Sequence, residues 1–290
     1  MILTPGIFVR ATTFLLGSEK HAGKTTLLNY LIRRLRGRQP LAYLSVGVDG
    51  EGRDLISGVP KPHVVAAEGD WLVTAEQALR RSDLSAEIHE VFPFSTVMGP
   101  PVLARVVRGG SVELIGPGAN TQLAKILEYI VADAGIETVL VDGAINRVTQ
   151  VAAATQGAYV FVLRVTRNNL TRAIDTMRRL FRLQDVPVAP GDHSIDEQTL
   201  VLDGALTSER ANSINPACRT IILEDFSHIF LTHTELLSLQ RRVQLRFRRR
   251  LEFRAFVVNL HDLPRQEFLD ELAAPDLAEK VVFNPYQEVA

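Results

Sequence analysis

The stretch TTFLLGSEKHAGKTTLLNYLIRRL, residues 12–35, constrains this chain more than any other. An apolar run at 13–16 is followed by a short polar loop and then by a helical pattern. Leu28, Leu31, Ile32 and Leu35 share one face of that pattern. The loop ends in Gly23-Lys24-Thr25, and strand, loop and helix in that order are what a phosphate-binding loop requires. Successive backbone N–H groups must curl around an anion, and the helix must aim its positive end at it. The cradle then comprises Ser18, Glu19, Lys20, His21, Ala22, Gly23, Lys24, Thr25 and Thr26, with Lys24 on the β- and γ-phosphates and the Thr25 hydroxyl on Mg²⁺. The usual spacing has glycine, four residues, then Gly-Lys-Ser/Thr; here Ser18 holds the first place and Gly17 lies one residue early. Glu19 stands where the two-lysine version of the loop carries its second lysine, and Lys20 comes one residue late.

The chain has 290 residues, 46% hydrophobic and 22% charged, which suits one large α/β domain or two small ones. A net charge of −1 gives no global attraction to nucleic acid or to an anionic membrane. Cys218 is the single cysteine, which excludes an internal disulfide and a thiolate metal cluster and suits a reducing cytoplasm. The seven histidines lie singly, with no pair at metal-ligand spacing on one helix. No apolar run reaches the roughly 18 residues of a membrane span. The apolar start carries Pro5 and Arg10 and leads straight into the loop, so it reads as a strand lead-in, not a signal peptide.

Arg33, Arg34, Arg36 and Arg38 crowd the end of the first helix, where cations complement the dipole, and Gly37 stops it. A second strand is expected at 41–48, closing on Asp49-Gly50-Glu51. A carboxylate there can manage Mg²⁺ or an attacking water, Asp49 ahead of Glu51, although Asp-Gly is equally common turn chemistry. Residues 61–118 differ in grain, with β-like runs at 63–67, 86–92, 102–107 and 111–115 and one helical stretch at 74–81. They predict an antiparallel meander inserted into the scaffold, its core filled by Trp71, Phe92 and Phe94.

Alternation resumes with a helix at 121–134 and the run TVLVDGA at 138–144, a buried parallel strand with Asp142 at its carboxyl end. Asp142 is thus the second acidic candidate. Arg147 is either a phosphate or acid partner or a solvated loop arginine. A strand at 158–165 precedes a helix at 170–183 whose Arg172, Arg178, Arg179 and Arg182 read as a wet face. Beyond a loop at 185–198 come strands at 200–206, 220–223 and 226–231, with a short helix after Thr207. A helix at 234–247 and strands at 253–260 and 280–283 complete the chain. Among Arg241, Arg242, Arg246, Arg248, Arg249 and Arg250 only Phe247 could stack on a base, which argues against nucleic acid. Asn259-Leu260-His261-Asp262 has the outline of a guanine-reading loop without its lysine.

The phosphate loop, YLSVGVDGEGRD (43–54), KPHVVAAEGDWLVTA (61–75) and VELIGPG (112–118) are followed by VLVDGAINR (139–147), LDGALT (202–207), EDFSHIFLT (224–232) and FVVNLHD (256–262). In this order they resemble the P-loop proteins associated with lysine 5,6-aminomutase and ornithine aminomutase. That family is considered to reactivate adenosylcobalamin-dependent enzymes, releasing damaged cobalamin at the expense of ATP. Residues 146–150 depart from its pattern, as does the final Asn-Leu-His-Asp. More widely, the loop and strand-end acid resemble the class that includes dethiobiotin synthetase, in which the loop threonine and two strand-end carboxylates share Mg²⁺. On this chain the resemblance implies Thr25, Asp49 and Asp142 as metal ligands.

The expectation is therefore a three-layer α/β P-loop NTPase, one domain over 1–290, with a mainly parallel sheet and an antiparallel β-rich insertion at about 60–118. Lys24 and Asp49 are its catalytic candidates, and ATP and Mg²⁺ its cofactors. It would act as a slow ATPase on a cobalamin-dependent aminomutase, as a homo- or hetero-oligomer, in the cytoplasm. The alternatives are a small-molecule ligase or kinase in which Lys20 or His21 assists phosphoryl transfer, a nucleotide-gated scaffold without chemistry, or a GTPase.

Overall fold

A computed structural model describes residues 4–17, 19, 22–46, 63–143, 157–190, 197–284 and 286. Its first strands are β1 (Thr12–Gly17), β2 (Leu41–Ser45), β3 (Val64–Ala66), β4 (Trp71–Ala75), β5 (Ser85–Val91), β6 (Pro101–Arg108) and β7 (Gly110–Val112). They are followed by β8 (Thr138–Asp142), β9 (Ala158–Val165), β10 (Thr199–Val201), β11 (Thr220–Leu223), β12 (Gln244–Phe247), β13 (Glu252–Leu260) and β14 (Val281–Phe283). The helices are α1 (Lys24–Leu35), α2 (Glu76–Arg81), α3 (Asn120–Glu128), α4 (Leu170–Leu183), α5 (Ser208–Ser213), α6 (His233–Gln240), α7 (Arg265–Leu272) and α8 (Pro275–Ala278).

Every residue of β1 is buried, the signature of a strand covered on both faces. It lies between β8 and β9, parallel to both, in the interior of a nine-stranded sheet ordered β14-β13-β9-β1-β8-β2-β4-β6-β5. Pairing is parallel from β14 to β4 and antiparallel where β6 joins β4 and β5. Apolar residues alternate between the two faces, as strand geometry demands. Phe14, Leu16, Val141 and Phe161 belong to one core layer, with Ile174, Met177 and Leu180 of α4. Leu15, Tyr43, Leu140 and Val160 belong to the other, with Leu28, Leu31, Ile32 and Leu35 of α1. The result is an α/β fold around a large, mostly parallel mixed sheet.

The β-rich stretch is built differently from the expected insertion. The run WLVTA forms β4, which pairs parallel with β2 and so extends the main sheet; only β3 and β7 form a separate antiparallel pair. The helix expected from 74 begins at Glu76, because Thr74 is fully buried in the strand. Its hydroxyl donates to Glu113 O and accepts from Ile115 N–H.

Further along, β10, β11 and β12 make a second, parallel sheet. The strand expected at 200–206 is only Thr199–Val201, and the one at 226–231 is a 3-10 turn capped by the Asp225 carboxylate. The helix expected over 234–247 stops at Gln240, since buried Val243, Leu245 and Phe247 recur every second residue and form β12. Likewise the helix expected at 121–134 is α-helical only to Glu128 and finishes in a π turn. α7 and α8 lie between β13 and β14 where no element was expected.

A buried polar knot fixes the far end of α1. Asp70, 4% exposed, accepts from Arg36 Nε at 3.1 Å, Arg36 Nη2 at 2.6 Å, Tyr43 Oη at 3.2 Å and Ala67 N at 2.9 Å. Burial, reinforced by Asp70, pushes the Tyr43 hydroxyl pKa well up, and burial does the same to Tyr159 beside Asp225. Raised phenol values mean that the unfolded chain loses these protons first as pH rises. Stability is therefore fully present below about pH 10 and lost as pH climbs through the folded values. In an alkaline titration the tyrosinate absorbance of Tyr43 and Tyr159 should appear together with loss of helical circular dichroism. Their ionisation near pH 10 in a still-folded protein would contradict this burial.

Candidate functional site

Ligand sites on parallel sheets form beyond the carboxyl ends of the strands, and three features meet there next to β1. The first is Gly23, the N-cap of α1, at φ +97°, in the left-handed region that side chains resist. A Cβ at Gly23 would also stand 2.6 Å from Asn259 Nδ2 and 2.7 Å from the Tyr286 hydroxyl oxygen. Gly17 serves another purpose. A Cβ there would lie 2.9 Å from Val162 O and 3.3 Å from Lys24 Cδ, so the missing side chain lets the lysine stem run across the end of β1. This gives the one-residue offset of the first glycine a packing reason.

The second feature is the head of α1. Among the described residues no side chain caps it, and its first turn holds no acidic residue, so the positive end of the helix dipole suits an anion. Lys24 Nζ donates to Glu19 O at 2.9 Å, curling the lysine back over the loop.

The third is the pairing of Thr25 with Asp142. Thr25 Oγ1 donates to Asp142 Oδ2 at 2.9 Å across 117 positions of sequence. Asp142 is held in place by the sheet, in register with Leu15 of β1 and Ser45 of β2. Its carbonyl also accepts from Val46 N at 2.8 Å. A hydroxyl beside a carboxylate is an oxygen donor set of the kind Mg²⁺ takes, with water filling the remaining positions.

Of the expected site residues, Glu19, Ala22, Gly23, Lys24, Thr25 and Asp142 converge here, and Thr26 lies exposed on the first turn of α1. Ser18, Lys20, His21 and Asp49, with Glu51 and Arg147, lie outside the described residues.

Asn259, Tyr286 and Arg172 join the site without having been assigned to it from the sequence. Asn259, at the end of β13 and 6% exposed, donates from Nδ2 to Ala22 O at 2.7 Å. Its Oδ1 is buried with no hydrogen-bond partner among the described residues. The Tyr286 hydroxyl lies close to this amide without full hydrogen-bond geometry, and burial pushes its pKa up to about 12. Arg172, in the first turn of α4, pairs with the Glu19 carboxylate. The Asn-x-x-Asp outline was a signal for Asn259; a helix-face arginine gives none for Arg172.

A cavity of about 340 Å³ between β10 and α5, lined by Leu200, Leu206, Arg210 and Cys218, shares no residue with this site. Among the described residues no three His, Cys, Asp or Glu side chains gather as a metal cluster, and no helix is long and apolar enough to cross a membrane. No protein-family model, curated protein or solved structure matches this chain.

Proposed function

We propose that this chain is a P-loop NTPase that binds Mg·ATP at the head of α1 and hydrolyses it slowly. The observation that carries the reading is the Thr25–Asp142 hydrogen bond, which sets a loop hydroxyl and a strand-end carboxylate together beside an uncapped helix N-terminus. The residues fit the ligand: Lys24 and the backbone of residues 19–26 would hold the phosphates, and Thr25 and Asp142 the metal. Asp49 is proposed to ligate that metal through water or to orient the attacking water. Bound Mg²⁺ would neutralise charge on the phosphoryl oxygens. The finer role, reactivation of a cobalamin-dependent aminomutase, rests on the family resemblance alone. A pull-down against such an enzyme, with and without a non-hydrolysable ATP analogue, tests it. Single-turnover phosphate release tests hydrolysis, and none over hours would leave a nucleotide-gated scaffold.

Asn259 favours adenine over guanine. One Nδ2 hydrogen is spent on Ala22 O and the amide nitrogen also faces the Tyr286 hydroxyl, which leaves Oδ1 as an acceptor without a partner among the described residues. That acceptor complements the amino group of adenine, whereas the O6 of guanine would set acceptor against acceptor. ATP should outcompete GTP by about tenfold or more at equal concentration, and Asn259→Ala should shrink the ratio to about threefold or less. Because the readout is a ratio, general loosening of the loop does not imitate it. A wild type that binds both nucleotides equally would remove Asn259 as the base reader.

A further inference from the structure

Glu19 puts a carboxylate on a loop that is proposed to receive a polyphosphate, and that charge repels the ligand. The structure holds it at both ends. Its carbonyl accepts from Lys24 Nζ, and its carboxylate is met by the Arg172 guanidinium from the first turn of α4. The adjacency follows from topology: β9 lies beside β1 in the sheet, and the chain leaving β9 turns within a few residues into α4. Glu19 and Arg172 are 153 positions apart, so the contact is a product of the fold. The Arg172 side chain is 72% exposed and that of Glu19 35%, so the pair adds little to stability. Other arginines of α4 are engaged elsewhere: Arg178 with Leu272 O, Arg179 with Leu231 O and Arg182 with the Gln240 amide.

We infer that Arg172 is a positioning residue that neutralises Glu19, so that the loop accepts a triphosphate. The inference rests on the nucleotide reading above and adds to it an element that the loop sequence does not contain. Lys24 must exchange the Glu19 carbonyl for phosphate oxygens when ligand arrives, and the Arg172 contact then remains to hold Glu19 and cancel its charge. A largely solvated like charge on the loop that holds a triphosphate lowers affinity by about tenfold at low salt and by less as salt screens it.

The test measures Mg·ATP and Mg·tripolyphosphate affinity for four proteins at low and at about 0.5 M salt. Arg172→Ala should bind both ligands about tenfold more weakly than wild type at low salt, with a deficit that shrinks at high salt and an unchanged ligand-free melting temperature. Arg172→Lys, which keeps the charge, should stay within about threefold of wild type. The double variant Arg172→Ala/Glu19→Gln should recover to about the wild-type affinity, since the charge needing neutralisation has gone. A double variant as weak as Arg172→Ala would overturn the inference, because Arg172 would then act on the ligand itself. Equal affinity of Arg172→Ala and wild type would overturn it as well. Both results leave the nucleotide reading standing, whereas a wild type that binds neither ligand overturns that reading.

Discussion

Lys24→Ala is expected to weaken Mg·ATP binding by about a hundredfold or more and to remove turnover, while the protein stays folded. The ammonium now donates to Glu19 O, a bond at a partly exposed loop that water can replace at little cost. With nucleotide bound, the same ammonium would make charge-assisted bonds to phosphate oxygens in a water-poor cradle, and each such bond is worth about 1.5–3 kcal/mol. Two of them correspond to a factor of about a hundred or more in the dissociation constant. Alanine keeps the helix and removes only the stem that crosses Gly17, so the loss is electrostatic and not architectural. Calorimetric titration with Mg·ATP measures the first effect and single-turnover phosphate release the second. Tight Mg·ATP binding by Lys24→Ala would falsify the proposed function.

The strand, loop and helix of residues 12–35 were legible because three local signals agree: an apolar run, a Gly-Lys-Thr and a 3.6-residue apolar stripe. Residues 158–165 and 170–183 were legible for the same reason, one apolar but for Arg164 and the other strongly amphipathic. Residues 71–75 were harder, since WLVTA leads directly into the helix former EQALRR. What makes it a strand is its pairing with β2 and β6, remote in sequence. Over 234–247 the pattern changes from a 3.6-residue to a two-residue period, and the few residues around the change fit both. At the site, the places of Ala22, Gly23, Lys24 and Thr25 follow from their order, and that of Asp142 from the end of an apolar strand, while Ser18, Lys20 and His21 lie outside the described residues. The fold alone brings Asn259, Tyr286 and Arg172 to that loop. Asn259 carried a signal in its Asn-x-x-Asp outline, whereas Tyr286 and Arg172 are unremarkable in their own stretches, a tyrosine near the chain's end and an arginine among others on a helix.

Asp70→Ala is expected to cost about 3–5 kcal/mol of stability and to lower the melting temperature by roughly 6–20 °C. The side chain is nearly sealed from water and serves three partners at once: the Arg36 guanidinium, the Tyr43 hydroxyl and the Ala67 N–H. Alanine takes the Asp70 acceptor from all three, and among the described residues only Arg36 keeps another, the Val65 carbonyl at 3.4 Å. Arg36, with 30% of its side chain exposed, recovers some hydration, but Tyr43 is fully buried and its hydroxyl cannot. Most of the penalty therefore comes from orphaned groups, and the companion Tyr43→Phe should recover about 1 kcal/mol in the Asp70→Ala background while being costly in the wild type. Thermal or urea unfolding of the four proteins measures this non-additivity, and a loss below about 1 kcal/mol for Asp70→Ala would show the knot to be idle. The consequence for function is geometric. Arg36 caps the far end of the helix that carries Lys24 and Thr25, and Asp70 ties that end to the turn preceding β4. Nucleotide affinity of the folded fraction should fall only insofar as α1 is free to tilt, whereas Lys24→Ala removes affinity with the helix in place. Opposite signatures in the two variants, stability lost in one and binding in the other, would separate the part of this fold that aims the helix from the part that holds the ligand.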